Sequence, residues 1–225
     1  MAKPLFDADA LISMFQNATS RQGAQLQKVA GDATLAALQG RELTLKNIRG
    51  ALKSVAEAAS AGVAKNLVAG VDPEALLDKA VAGMDEAMLK AVEANRTALS
   101  TLMAQGADMR DKHLQKALDD LDKMEDSLFS ALKKAAAGAG APMAGAWGPV
   151  LEKMQAGGSL SGAQAAQTAE QMAEQMQTAM RSTRAASMKA AQALAESYTA
   201  MVSGVLIGMS EALQSAGVAK KPKAK

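Results

Sequence analysis

His113 is the only histidine in the chain. It follows Asp108, Arg110, Asp111 and Lys112, so acid–base work and metal ligation are the first chemistries to weigh. Asp111 is two residues away and faces another side of a helix. A metal site needs further ligands, and nothing nearby supplies them. His113 therefore reads as an ordinary surface or seam-edge residue. Asp119, Asp120, Asp122, Glu125 and Asp126 form a dense acidic run. They lack the glycine turn and alternating oxygen ligands of a calcium loop, and one histidine cannot furnish the paired Glu-x-x-His of a di-iron bundle. A solvated helix face is expected there. Gly138, Gly140, Gly145 and Gly148 follow no strand and lead into no Gly-Lys-Ser/Thr, so they form no phosphate loop. The absence of cysteine removes disulfides, thiolate catalysis and cysteine-held metals. The sequence predicts a protein that is not an enzyme, with no catalytic residue, cofactor, metal or small-molecule substrate.

The elements that would carry these residues are easier to read. Alanine fills about 52 of 225 positions and methionine 15, while the aromatics are only Phe6, Phe15, Phe129, Trp147 and Tyr198. Helix formers dominate and strand formers are scarce, which predicts an all-α fold. Asp7 reads as an N-cap with Phe6 and Leu11 as a hydrophobic staple. Asp72 is followed by Pro73 and Glu74, and Ser161 has Gln164 three residues on. Lys133 and Lys134 before Gly138, and Gly217 further on, read as helix ends. Gly23, Gly31, Gly40 and Gly50 interrupt the first segment, and a break is expected near Gly40.

Apolar residues recur at helical spacing between these marks. Leu45, Ile48, Leu52, Val55, Ala59 and Gly62 form one seam. Leu77, Val81, Met84, Met88, Ala91 and Asn95 form a second, and Leu114, Leu118, Leu121, Leu128 and Leu132 a third. A slip near Met109–Leu114 reads as a stutter or a local unwinding within one helix. The expected architecture is an elongated antiparallel bundle or coiled coil of three or four long helices. They run about 7–39, 41–69, 73–137 and 163–216, in one domain over 1–216. The third would span roughly 95 Å at 1.5 Å per residue. A Gly/Ala-rich connector over 138–162 and a disordered basic tail over 217–225 complete it.

Lys and Arg number 25 against 23 Asp and Glu, a balance unlike that of a dedicated nucleic-acid binder. Lys220, Lys221, Lys223 and Lys225 allow at best a weak contact of the tail with nucleic acid or acidic lipid. The N-terminus does not read as a signal peptide, and the apolar stretch Ala200 to Met209 is too short to cross a membrane. A cytoplasmic protein is expected, free or attached to a granule or membrane. Phe6, Leu11, Ile12, Phe15, Met143 and Trp147 are candidate contacts with an apolar surface, burial against the bundle being the competing account. Leu45, Ile48, Leu52, Val55, Met172 and Met176 form a candidate self-association seam in a homo-oligomer. Gly204 and Gly208 read as packing positions.

The opening Leu5-Phe6-Asp7-Ala8-Asp9-Ala10-Leu11-Ile12-Ser13-Met14-Phe15-Gln16, the ending Ala219-Lys220-Lys221-Pro222-Lys223-Ala224-Lys225 and the alanine-rich helical pattern between them resemble the phasins, bacterial proteins that coat polyhydroxyalkanoate granules. The block from Leu43 to Ala135 is also similar to an uncharacterised proteobacterial helical family. The phasin resemblance implies a non-enzymatic amphipathic protein that coats an apolar granule or assembles as a scaffold. Two other readings are a membrane-active protein inserting through residues 138–150 and a coiled-coil adaptor.

Overall fold

The computed structural model describes residues 7–20, 24–39, 44–67, 72–105, 112–182 and 190–218. The described residues form nine helices and no strand: α1 Ala8–Ser20, α2 Ala24–Leu38, α3 Leu45–Ala64, α4 Pro73–Ala104, α5 Lys112–Asp122, α6 Met124–Gly138, α7 Ala141–Gly157, α8 Leu160–Ser182 and α9 Ala190–Val218. Phe6, most of the stretch near Gly40 and the basic tail beyond Val218 lie outside the described residues.

The helix starts follow the local chemistry. Asp7 Oδ1 accepts from the Asp9 amide, and Asp72 Oδ1 accepts from the Glu74 amide at 3.0 Å with Pro73 in the first turn. Thr44, not read as a cap from the sequence, accepts from Asn47 N and starts α3. An Asp72→Ala variant is expected to lose about 1 kcal/mol, because the Glu74 amide at the start of the longest described helix loses its acceptor and the helix dipole its negative partner. A urea denaturation midpoint measures it.

The long third helix does not exist as expected. α4 ends at Ala104 with Gln105 as its C-cap, and α5 and α6 follow as separate helices. Asp85 of α4 and Glu125 of α6 both bond the stretch Ser159–Ser161. In one straight helix those two carboxylates would sit roughly 60 Å apart. The chain must fold back between them, so residues 73–137 do not form one helix. The first expected helix is likewise two, α1 and α2, which pack on each other. The last is α8 and α9, and the expected connector is largely the helix α7.

α4 lies centrally, touching α2, α3, α7, α8 and α9, while α3 touches α1 and α6. Glycines set the closest approaches. At Gly83 a Cβ would overlap the carbonyl of Gln27, and at Gly62 it would lie 2.5 Å from Phe15 Cβ. The α2–α4 and α1–α3 pairs therefore meet almost backbone to backbone. Arg49 donates to Ser127 Oγ at 3.2 Å and Glu57 comes close to Gly138, so α3 and α6 run in the same direction. The three sequence seams are buried at Ile48, Leu52, Val55 and Ala59, at Leu77, Met84, Met88 and Ala91, and at Leu121, Leu128 and Leu132.

Candidate functional site

The richest meeting of polar groups lies where α4, α6, α7 and α8 converge. α7 ends at Gly157, and Gly158 takes φ +69° with ψ −169°, a conformation open essentially only to glycine. Ser159 then starts α8: its carbonyl takes the Ala163 amide and its Oγ takes the Gly162 amide at 2.9 Å. The sequence placed this start at Ser161 with Gln164. The true cap is two residues earlier, and Ser161 Oγ is buried with no protein partner.

Two carboxylates from distant parts of the chain close over this turn. Asp85, only 8% exposed, accepts from Leu160 N at 2.7 Å and from Ser161 N at 3.0 Å. Glu125 Oε1 accepts from Ser159 N at 2.8 Å. Gly162 is required here, since a Cβ would lie 2.5 Å from the Glu125 carboxyl carbon. Charged acceptors on the amides of a helix N-terminus are among the stronger hydrogen bonds a protein makes. Beside the joint α4 and α7 border an open cleft of about 570 Å³, with Ala75, Val81, Ala82, Val150 and Met154 as its apolar lining and Asp85 and Ser159 at its end. An ion pair between Asp78 and Lys153 joins its walls.

These groups hold helices together. Both Asp85 oxygens are taken up by amides, and Ser159 Oγ serves the Gly162 amide. Sequence reasoning missed Asp85. Its signal is a carboxylate four residues after Val81 and three before Met88, within the buried stripe of α4. Glu125 was read as part of a solvated acidic face, but it caps a neighbour, and Asp120 is buried and paired with Lys116 at 2.8 Å.

The candidate apolar-surface contacts fall elsewhere. Leu11, Phe15, Met143 and Trp147 lie in the chain's own core, and Ile12 packs against it. Trp147 is 1% exposed and donates to Ser60 Oγ at 3.2 Å. It is a core residue of α7. The candidate self-association seam closes inside one chain as well: Ile48, Leu52, Val55 and Met172 are buried and Leu45 is half-buried. The side chains of Met176 and His113 lie outside the described set. Among the described residues few large apolar side chains lie on the outside, and Leu160 is the most open of them at 67%.

Tyr198 of α9 reports on this end of the molecule. Burial pushes its hydroxyl far above the ordinary phenol range, and the charge of Asp120 on α5 adds to the shift. Because the folded state favours the neutral phenol, stability is expected to be undiminished by this group below pH 10. It should decline as pH rises past the unfolded value of 10.0 toward the folded one. Tyr198 is the sole tyrosine, so tyrosinate absorbance should stay flat through pH 10 and appear only as the bundle opens.

No curated protein and no solved structure matches the chain. A family model matches residues 1–215, and on that match the chain belongs to DUF6781, a family of unknown function.

Proposed function

We propose that this chain is a non-enzymatic amphipathic helical protein that coats an apolar surface, as the phasins it resembles coat storage granules. It binds by replacing some of its helix–helix contacts with contacts to that surface. The construction of the core carries the reading. Alanine lines the seams throughout, as at Ala51, Ala56, Ala59, Ala80, Ala87, Ala91, Ala94 and Ala98, and glycine sets the closest approaches. Each alanine removes little apolar area from water, at roughly 25 cal/mol per Å². An apolar surface can then replace a helix–helix seam at small cost. Buried Met84, Met88, Met124, Met143, Met154 and Met172 supply flexible side chains that adapt to an irregular partner. No described helix is long and apolar enough to cross a membrane, which favours lying on a surface over passing through one. Further copies of the chain are the second partner of this reading, since coats and scaffolds assemble laterally.

A fluorescent fusion expressed in a cytoplasm that holds polyester granules tests the proposal. Rings of signal at granule rims are expected. A uniform cytosolic signal in the presence of granules, or signal on the nucleoid, overturns it.

A further inference from the structure

We propose that two copies of the chain pair about a two-fold axis at the α7–α8 turn, with Leu160 of each copy seated in the α4–α7 cleft of the other; this rests on the lateral assembly named above and gives it a surface.

Leu160 is the knob. It is 67% exposed, more than any other large apolar side chain among the described residues. A lone exposed leucine is ordinary, but this one is held in place. Its amide donates to Asp85 at 2.7 Å, the Ser161 amide to the same carboxylate at 3.0 Å, and the Ser159 amide to Glu125 at 2.8 Å. Three successive amides are fixed by carboxylates from two other helices, so the backbone that carries Leu160 is set before any partner arrives. Such pre-ordering lowers the entropy cost of association.

The hole lies beside it. The cleft of about 570 Å³ ends at Gly158 and Ser159 and has Val81, Val150 and Met154 in its lining. The ion pair of Asp78 with Lys153 sets the spacing of its walls, and the exposed Ala75 and Ala82 leave it open to a side chain from outside. Leu160 follows Ser159 directly yet does not line the cleft. Knob and hole therefore share one surface, which makes it self-complementary. A two-fold rotation brings each leucine to the other copy's cleft, and the contact closes at two chains. A flat apolar surface would use the leucine and leave the cleft empty, whereas a second copy uses both.

The ground around them carries no charge. Residues 154–169 contain no Asp, Glu, Lys or Arg, where the chain's average of 21% would place about three. Gln155, Ala156, Gly157, Gly158, Ala163 and Ala166 are exposed there. Depletion of charge around a large apolar anchor is the composition of an interface centre.

The chain has no cysteine, so single-cysteine variants test the pairing cleanly. Leu160→Cys and Ala82→Cys proteins are mixed and mildly oxidised. A disulfide from position 160 of one copy to position 82 of the other is expected as the main product. Gly50→Cys, on the exposed side of α3, is the control, and no preference over it overturns the pairing. Wild-type protein is expected to sediment as a dimer at micromolar concentration. Leu160→Gln, which alters an exposed side chain, should weaken that dimer at least tenfold while the helical signal stays unchanged. A dimer that Leu160→Gln leaves intact overturns the proposal. A wild-type monomer that floats with oil droplets overturns the pairing and leaves the coating reading standing. A dimer that joins 160 to 82 and never binds oil does the reverse.

Discussion

Replacing Gly83 by alanine is expected to destabilise the bundle by about 3 kcal/mol, at the upper end of overpacking effects. The new Cβ would overlap the backbone carbonyl of Gln27. Neither backbone can move aside as a side-chain end can, so α2 must lift from α4 along the whole of a contact among the most extensive in the fold. The hydrogen bond from Gln27 to Glu86 would be lost with it. Gly31, on the facing helix, is less severe because its Cβ would lie 3.2 Å from the Gly83 carbonyl oxygen. Gly50→Ala is the control. It lies on the exposed side of α3 with open space around it, and there alanine should add about 0.5–1 kcal/mol through helix propensity. Urea midpoints of the two variants should therefore move in opposite directions from wild type.

Trp147→Ala is expected to cost about 4 kcal/mol, in the range for a buried aromatic truncated to a methyl. Its indole is fully enclosed where α7 meets α3 and α6, and the Ser60 hydroxyl would lose its donor. Trp147→Phe keeps most of the volume and forfeits the indole hydrogen bond, so about 1–2 kcal/mol is expected. Thermal unfolding followed by far-ultraviolet circular dichroism separates the two. If Trp147 were an exposed tip, both substitutions would leave the melting temperature unchanged.

The helical class and the buried stripes were legible because a 3.6-residue period survives in any environment. Ile48, Leu52 and Val55, or Met84, Met88 and Ala91, point inward whichever helix they meet. What period cannot show is which partner closes the stripe, so a seam read as intermolecular closes within one chain. The chain reversal between α4 and α5 was hidden for a related reason: its flanking stripes look like one helix with a slipped register. Most of α7 was read as a connector, with only a short helix from Val150 to Gln155 in it, because Gly145, Gly148 and Pro149 argue against a longer helix. Yet Met143, Trp147, Val150 and Met154 already stood at spacings of four, three and four, and burial of Trp147 outweighs the propensity penalty. The joint role of Asp85 and Glu125 was out of reach for a plainer reason. Two carboxylates 40 residues apart acquire a shared role only once the fold brings both to the first turn of α8.

Adsorption to oil tests the central claim most directly. Purified protein is mixed with a hexadecane-in-water emulsion and centrifuged, and the protein in the floating and aqueous layers is measured. The bundle described here is expected to float with the droplets, saturating their surface while its far-ultraviolet signal remains helical. A stable monomer that stays wholly in the aqueous layer at every oil surface area would contradict it.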